Sequence, residues 1–217
     1  MVRAAFRAGM CLSQLRDFNQ ALQMFSHAER EPYTAIAAIE IANSLWELNQ
    51  LEEAARQIEE SVSFNPQQLQ LLYLQLDEYV DIDRAALVAA RIADAQGNAV
   101  GALHMAERVL THNPREFEAR ALQIKNLRIL NRTQEAEVAA QQQAEMIANR
   151  QRGRELRLEL ETNPNDIDKL YELAELYWRT ESDAEAQLII NDILRLDPAS
   201  ARARELLAKI KAPQSER

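Results

Sequence analysis

The stretch IDKLYELAELYWRTESDAEAQLIINDILRLDP, residues 167–198, decides the fold. In its first half Leu170, Leu173, Ala174 and Tyr177 recur at the spacing that returns a helix to one face. In its second half Ala186, Ile190 and Ile193 do the same. Thr180 to Asp183 forms the turn between the two helices, and Pro198 closes the pair, because proline cannot continue a helix.

Working outward, the prolines repeat this unit. Pro32 and Pro66 lie 34 residues apart, as do Pro164 and Pro198. The contexts match as well: Phe64-Asn65-Pro66, His112-Asn113-Pro114 and Thr162-Asn163-Pro164, with Leu196-Asp197-Pro198 a near variant. Each proline follows a helix-forming segment and suits the first turn of the next helix. Composition agrees. The 217 residues include 4 glycines and 6 prolines, well below the averages of about 7% and 5%. Glycine-hungry architectures, such as tight-turned sheets and phosphate-binding loops, are thereby disfavoured. Ala, Leu, Glu, Gln and Arg dominate, as in proteins built of long helices.

The pattern resembles the tetratricopeptide repeat (TPR) family, with its W-x2-L-G-x2-Y, A-x3-F and P signature over 34 residues. In residues 167–198 Leu170 stands at the Trp position and Ala174 at the Gly position. Gly9, Leu12, Phe18, Ala21, Phe25 and Ala28 take the corresponding roles in a first unit. Ile41, Ala42, Leu45, Ala54 and Ile58 do so in a second, and Ala89, Ala90, Ala93, Gly97, Ala102 and Ala106 in a third. The fourth is weak: Leu127 and Ala136 fit, while Ile124 replaces the small residue. The resemblance implies an all-α, right-handed TPR-like helical-repeat solenoid of about five helix pairs.

The second-helix alanines Ala21, Ala54, Ala102, Ala136 and Ala186 are 33, 48, 34 and 50 residues apart, so two places carry extra chain. The first, from Gln67 to Ile82, holds too many leucines for a loop and predicts an additional or extended helix with Asp77, Glu78, Asp81 and Asp83 at an exposed end. In the second, either the preceding helix is unusually long or Gly153 breaks it; Leu156 and Leu160 are helical neighbours. Leu206, Leu207 and Ile210 line one side of a last amphipathic helix, expected to cap the solenoid. The expectation is one superhelical domain over 1–211. Its repeats fall at about 2–33, 35–66, 83–114, 117–150 and 167–198, with inserts at 67–82 and 147–162, a cap at 199–211 and a disordered tail at 212–217. No cap precedes the first helix, which points to docking on an upstream segment or to a homodimer there.

Catalytic motifs are absent, and no enzyme activity, metal or cofactor is expected. His27, His104 and His112 are scattered; the latter two are eight residues apart on one helix, about 12 Å. Asp81 and Asp83 lack the Gly and closing Glu of a calcium loop. Cys11, the single cysteine, reads as a small core residue. Twenty-five basic against 34 acidic residues give a net charge of −9, which argues against nucleic acid as partner. No apolar run approaches the roughly 20 residues of a membrane span. The arginines of residues 1–16 read as part of a first helix rather than as a targeting segment, so the chain is cytoplasmic by default.

The functional surface is then the groove lined by the first helices of the pairs. Residues not spent on packing within a repeat select Arg3, Phe6 and Met10, then Ile39, Asn43, Trp46 and Glu47, then Arg84, Leu87 and Arg91. Further along they select Glu118, Lys125 and Arg128, and finally Tyr171, Glu175, Trp178 and Arg179. From these, Asn43, Trp46, Arg84, Arg91, Lys125, Arg128, Tyr171, Glu175, Trp178 and Arg179 form the candidate binding set, since Trp, Tyr and Arg supply most hot spots. The cations near mid-groove suggest a protein or peptide with an acidic or C-terminal segment. Paired Lys and Asn carboxylate clamps of co-chaperone TPR proteins are not reproduced, since only Asn43 and Lys125 are of the right type. The leading expectation is a non-catalytic interaction scaffold. The alternatives are a structural segment of a larger TPR protein and, remotely, a helical-repeat RNA binder.

Overall fold

The computed structural model describes residues 1–180 and 182–211, and every regular element among them is a helix. In order these are α1 (Val2–Gln14), α2 (Phe18–Ala28), α3 (Thr34–Glu47), α4 (Leu51–Ser63), α5 (Pro66–Leu76) and α6 (Arg84–Ala95). Then come α7 (Ala99–His112), α8 (Phe117–Ile129), α9 (Thr133–Thr162), α10 (Ile167–Thr180), α11 (Asp183–Leu196) and α12 (Ala201–Lys211). Glu181, in the turn expected after α10, and the tail expected at 212–217 lie outside the described residues. One domain was the expectation for 1–211; the contacts gather into two compact units, Met1–Ala140 and a second beginning at Gln141. The division falls inside α9, where Gln141, Gln142 and Gln143 replace the apolar stripe that Ala136 and Ala139 begin.

The first unit stacks hairpins. α1 packs on α2, α3 on α4 and α6 on α7, while α2 meets α3, α4 meets α6 and α7 meets α8. Ile124 and Leu127 of α8 bury against Ala136 and Ala139 of α9, completing a fourth pair. The first helix of each pair, called helix A below, ends the same way. Arg16, Asn49, Gly97 and Asn131 each take a left-handed φ, between 58° and 76°. One residue later the Asp17, Gln50, Asn98 and Arg132 amides donate back to Leu12, Leu45, Ala93 and Leu127 at 2.8–3.0 Å. This is the Schellman closure, which satisfies carbonyls left over at a helix end. Only Gly97 is glycine among the four, so the sequence hides a turn that the backbone repeats.

The central helix is α3. Its run Ile36 to Leu45 is buried throughout, including the polar Glu40, Asn43 and Ser44. A helix apolar on nearly every side must be surrounded. The first insert supplies part of that surround. α5 starts with a reciprocal capping box between Asn65 and Gln68, with Pro66 in its first turn, and ends at Asp77 in a left-handed cap. Its Leu69, Tyr73 and Leu76 join one core with Phe6 of α1, Tyr33, Ile36 and Ile39, and Val88 of α6. Of the additional or extended helix predicted from its leucines, the structure has the additional one, separate from α4. Its acidic end is solvent-facing only in part: Asp77 is exposed as expected, but the Glu78 side chain is only 9% exposed. Phe6 and Ile39 are core residues rather than groove lining. Among the described prolines, only Pro66 opens a helix; Pro114, Pro164 and Pro198 stand in the turns before α8, α10 and α12.

In the second unit Leu156 and Leu160, at the end of α9, share a core with Leu170, Leu173 and Tyr177 of α10 and Ile190 and Ile193 of α11. α9 is continuous for 30 residues and passes through Gly153, so the long-helix alternative describes the second insert. Leu158 points to solvent between its two buried neighbours, as i, i+2 residues on a helix do. α12 lays Ala203, Leu206 and Ile210 on this core. Cys11 is exposed, against the core reading. Phe6 and Gly9 take the inward face of α1, and a residue two positions beyond Gly9 points away from it.

Two glycines give opposite predictions. A Cβ on Gly9 would stand 2.6–2.9 Å from the ring of the fully buried Phe25. Gly9→Ala should therefore destabilise the fold by roughly 1–3 kcal/mol, read as a lower thermal midpoint by circular dichroism. At Gly153 the nearest atoms, on Leu173 and Tyr177, are 3.7 and 3.8 Å away, ordinary contact. Gly153→Ala should raise the midpoint, because alanine favours a helix interior by about 1 kcal/mol over glycine.

Candidate functional site

On the helix A side of the first unit, α3 places Glu40, Asn43 and Trp46 at helical spacing, and α6 places Arg84 and Arg91 opposite them. Glu40 is 4% exposed. Arg84 meets it as a fork, with Nε and Nη2 donating to the two carboxylate oxygens at 2.9 Å each. Burial works against the guanidinium charge, but the Glu40 hydrogen bonds and charge outweigh it and hold the Arg84 pKa above its ordinary value. Tyr73 of α5 lies close enough for burial first, and then the Glu40 and Asp81 carboxylates, to push its phenol pKa up.

One and a half to two turns further along, Arg91 gathers a second cluster. Its Nη1 donates to Asn43 Oδ1 at 2.9 Å, its fork closes on the Glu118 carboxylate of α8, and its guanidinium lies 5.3 Å from the Trp46 ring centroid. A cation over an indole face is a favourable pairing. Lys125 of α8 reaches Asp94 at 2.7 Å, and Asn126 donates to the same carboxylate at 3.0 Å. Arg128 is exposed at the surface.

A third cluster joins α1 to the end of α5. Glu78 accepts from Arg3 Nε at 3.1 Å, Arg7 Nε at 3.3 Å and Tyr33 Oη at 2.9 Å. Asp77 accepts from Arg3 Nη2 at 2.7 Å, which holds its carboxyl below the usual range. Beside α5 an open pocket of about 570 Å³ is lined by Gln68, Leu71 and Leu72, by Ala35 and Ala38 of α3, and by Gln57 and Ser61 of α4.

The candidate set thus divides. Asn43, Trp46 and Arg91 come together in one cluster; Arg84 and Lys125 sit in separate ion pairs, and Arg128 in neither. Tyr171, Glu175, Trp178 and Arg179 belong to the second unit. There Arg202 stacks on Tyr171 at 3.4 Å, Arg179 pairs with Glu175, and Trp178 is half-buried against the core. On the basic floor expected for an acidic ligand, Arg84 and Arg91 each hold a carboxylate of this chain, Glu40 and Glu118. Sequence reading missed Glu40, although a lone acid inside an apolar run demands a buried cation. It also missed the latch of Arg3, Arg7 and Tyr33 on Asp77 and Glu78, for which nothing local gives a signal. Among the described residues no group of three or more His, Cys, Asp or Glu side chains is placed to hold a metal, and no helix is long and apolar enough to cross a membrane.

No family model matches the chain, and no curated protein matches it. Solved structures do. The MamA protein is 10% identical, with 98% of this chain and 96% of that one covered at a TM-score of 0.50. A thermophilic TPR protein of Thermus thermophilus is 18% identical over 97% of this chain and 98% of its own, at a TM-score of 0.47. YrrB, described as a TPR protein with an unusual peptide-binding site, is 16% identical over 94% and 90%, at 0.48. At such identities the likeness is one of fold: the chain has the helical-repeat fold of the tetratricopeptide type.

Removing one partner of the Glu40–Arg84 pair leaves a buried charge alone. Glu40→Gln or Arg84→Met should cost about 3–5 kcal/mol in urea unfolding, and the double variant Glu40→Met, Arg84→Met should recover much of that loss. A second measurement concerns pH. Burial raises the Asp83 carboxyl to about 6, opposed by the charge of His112, whose Nδ1 is 3.5 Å away, and reinforced by Asp81 and Glu116. The folded state then holds the Asp83 proton more tightly than the unfolded chain, with its carboxyl near 3.9. Stability from this group is present at low pH and is lost as pH rises through about 6. The stabilisation of Asp83→Asn over the parent should therefore grow from about pH 4 to about pH 7.5.

Proposed function

We propose that the chain is a non-catalytic scaffold that binds a peptide or a partner domain on the helix A side of its first unit. The observation that carries this reading is the Arg91 cluster. Trp46 is half-buried, its indole face is held by a guanidinium, and that guanidinium is fixed by Asn43 and Glu118. A rigid aromatic beside an oriented cation is the pairing from which interface hot spots are made. An incoming segment gains affinity without ordering either side chain first. Because Glu118 is 40% exposed in its side chain, a partner carboxylate can exchange with it on Arg91. Arg84, buried with Glu40, is a framework residue in this reading.

The test is selection from a displayed peptide library against the full chain, with Trp46→Ala and Arg91→Ala as counter-selections. Ligands that bind the parent should weaken at least tenfold on both variants, with helicity unchanged. Selected ligands indifferent to both substitutions would rule this surface out.

A further inference from the structure

We propose that α5 is a resident ligand: a helix of this chain seated in a site that an external amphipathic helix of the same pattern enters when α5 leaves. The proposal rests on the reading that the helix A side binds a partner, and it names that partner's chemistry. The incoming helix carries apolar residues at the spacing of Leu69, Leu72, Tyr73 and Leu76 and ends in two adjacent carboxylates.

Three observations support it. First, α5 touches the first unit as a bound peptide does. One stripe enters the core formed by Phe6, Tyr33, Ile36 and Ile39, while Leu71 and Leu74, outside that stripe, remain 59% exposed. The i, i+4, i+7 anchoring of Leu69, Tyr73 and Leu76 is the helix-in-groove mode. Second, the receptor side is charged to match its C-terminal end. Arg3, Arg7 and the Tyr33 hydroxyl converge on Glu78, and Arg3 also takes Asp77. The two arginines come from α1, so this recognition does not depend on α5 being joined to α4. Third, one flank of α5 is open, where a pocket of about 570 Å³ runs between it and α3 and α4. Its latch is open to water on the Asp77 side, where Asp77 is 87% and Arg3 42% exposed, while Glu78 is 9% exposed beside Arg7 at 56%. An ion pair as exposed as Arg3–Asp77 is weak and exchanges readily.

The experiment weakens the resident without altering the receptor. A labelled peptide of residues 66–80 is titrated against the full chain and against the full chain carrying Asp77→Asn and Glu78→Gln. The peptide should bind the substituted chain at least tenfold more tightly than the parent, and a peptide with the same two substitutions should bind it at least tenfold more weakly. On the parent alone, amide hydrogen exchange should be faster in α5 than in α3. Equal binding to both chains, no binding to either, or α5 amides as protected as those of α3 would overturn the proposal. Library ligands that depend on Trp46 and Arg91 would then leave the broader scaffold reading standing. Loss of those ligands, with displacement of α5 intact, would remove the Trp46 cluster and keep this site.

Discussion

The buried pair of Glu40 and Arg84 constrains the first unit more than any other contact. α3 is surrounded on every side, yet carries a carboxylate at the middle of its buried run. A carboxylate there is tolerable only with a cation that brings its hydrogen bonds along. Arg84 is the first residue of α6, so satisfying Glu40 fixes where the third hairpin begins relative to the second. The α4-to-α6 connection must therefore deliver Arg84 to that spot. The chain between, residues 64–83, passes over α3 on the way and contributes Tyr73 beside the same carboxylate. The insert is thus part of the environment that makes the pair buried at all.

Much of the architecture was legible because it is periodic. Proline contexts, the small residue at Gly9 and the alanines of the second helices all report one-dimensional spacing, and spacing survives in a sequence. Gly9 shows the limit of substitution at such a place: the Phe25 ring occupies the volume a side chain would need. The helix A turns were harder to see. Arg16, Asn49 and Asn131 accept a left-handed backbone that glycine adopts freely, so the composition understates how regular the turns are. The long α9 was legible only as an alternative. Gly153 weakens a helix but does not end one, and only the burial of Leu156 and Leu160 on either side of exposed Leu158 decides the matter.

The binding surface was less legible for a different reason. A sequence shows the sign of each charge but not its partner. Arg84 and Arg91 look alike on a helical wheel, seven residues apart on one face. The first is a buried structural ion, while the second is an oriented group beside an indole with an exchangeable carboxylate. What separates them is the company supplied by α3, α5 and α8, all distant in the chain. Arg3 and Arg7 differ from both, since their acids lie more than 70 residues away.

These assignments bear on one another through α5. An isolated helix of 11 residues is marginal in water, where roughly 12–15 are needed even for good helix formers. α5 therefore persists because its neighbours hold it: three buried anchors on one stripe and a carboxylate cluster at its end. The interactions that hold it are the kinds an external helix can supply, since its charged contacts end on Arg3 and Arg7 of α1 and on Tyr33 before α3. Glu40 and Arg84 are different. They bond to each other, not to α5, so on the proposed departure of the insert the fork would keep both its partners while meeting water. Water weakens a buried pair less than loss of a partner does, because both charges regain solvation. The register of the hairpins and the occupancy of the site above them can consequently vary separately.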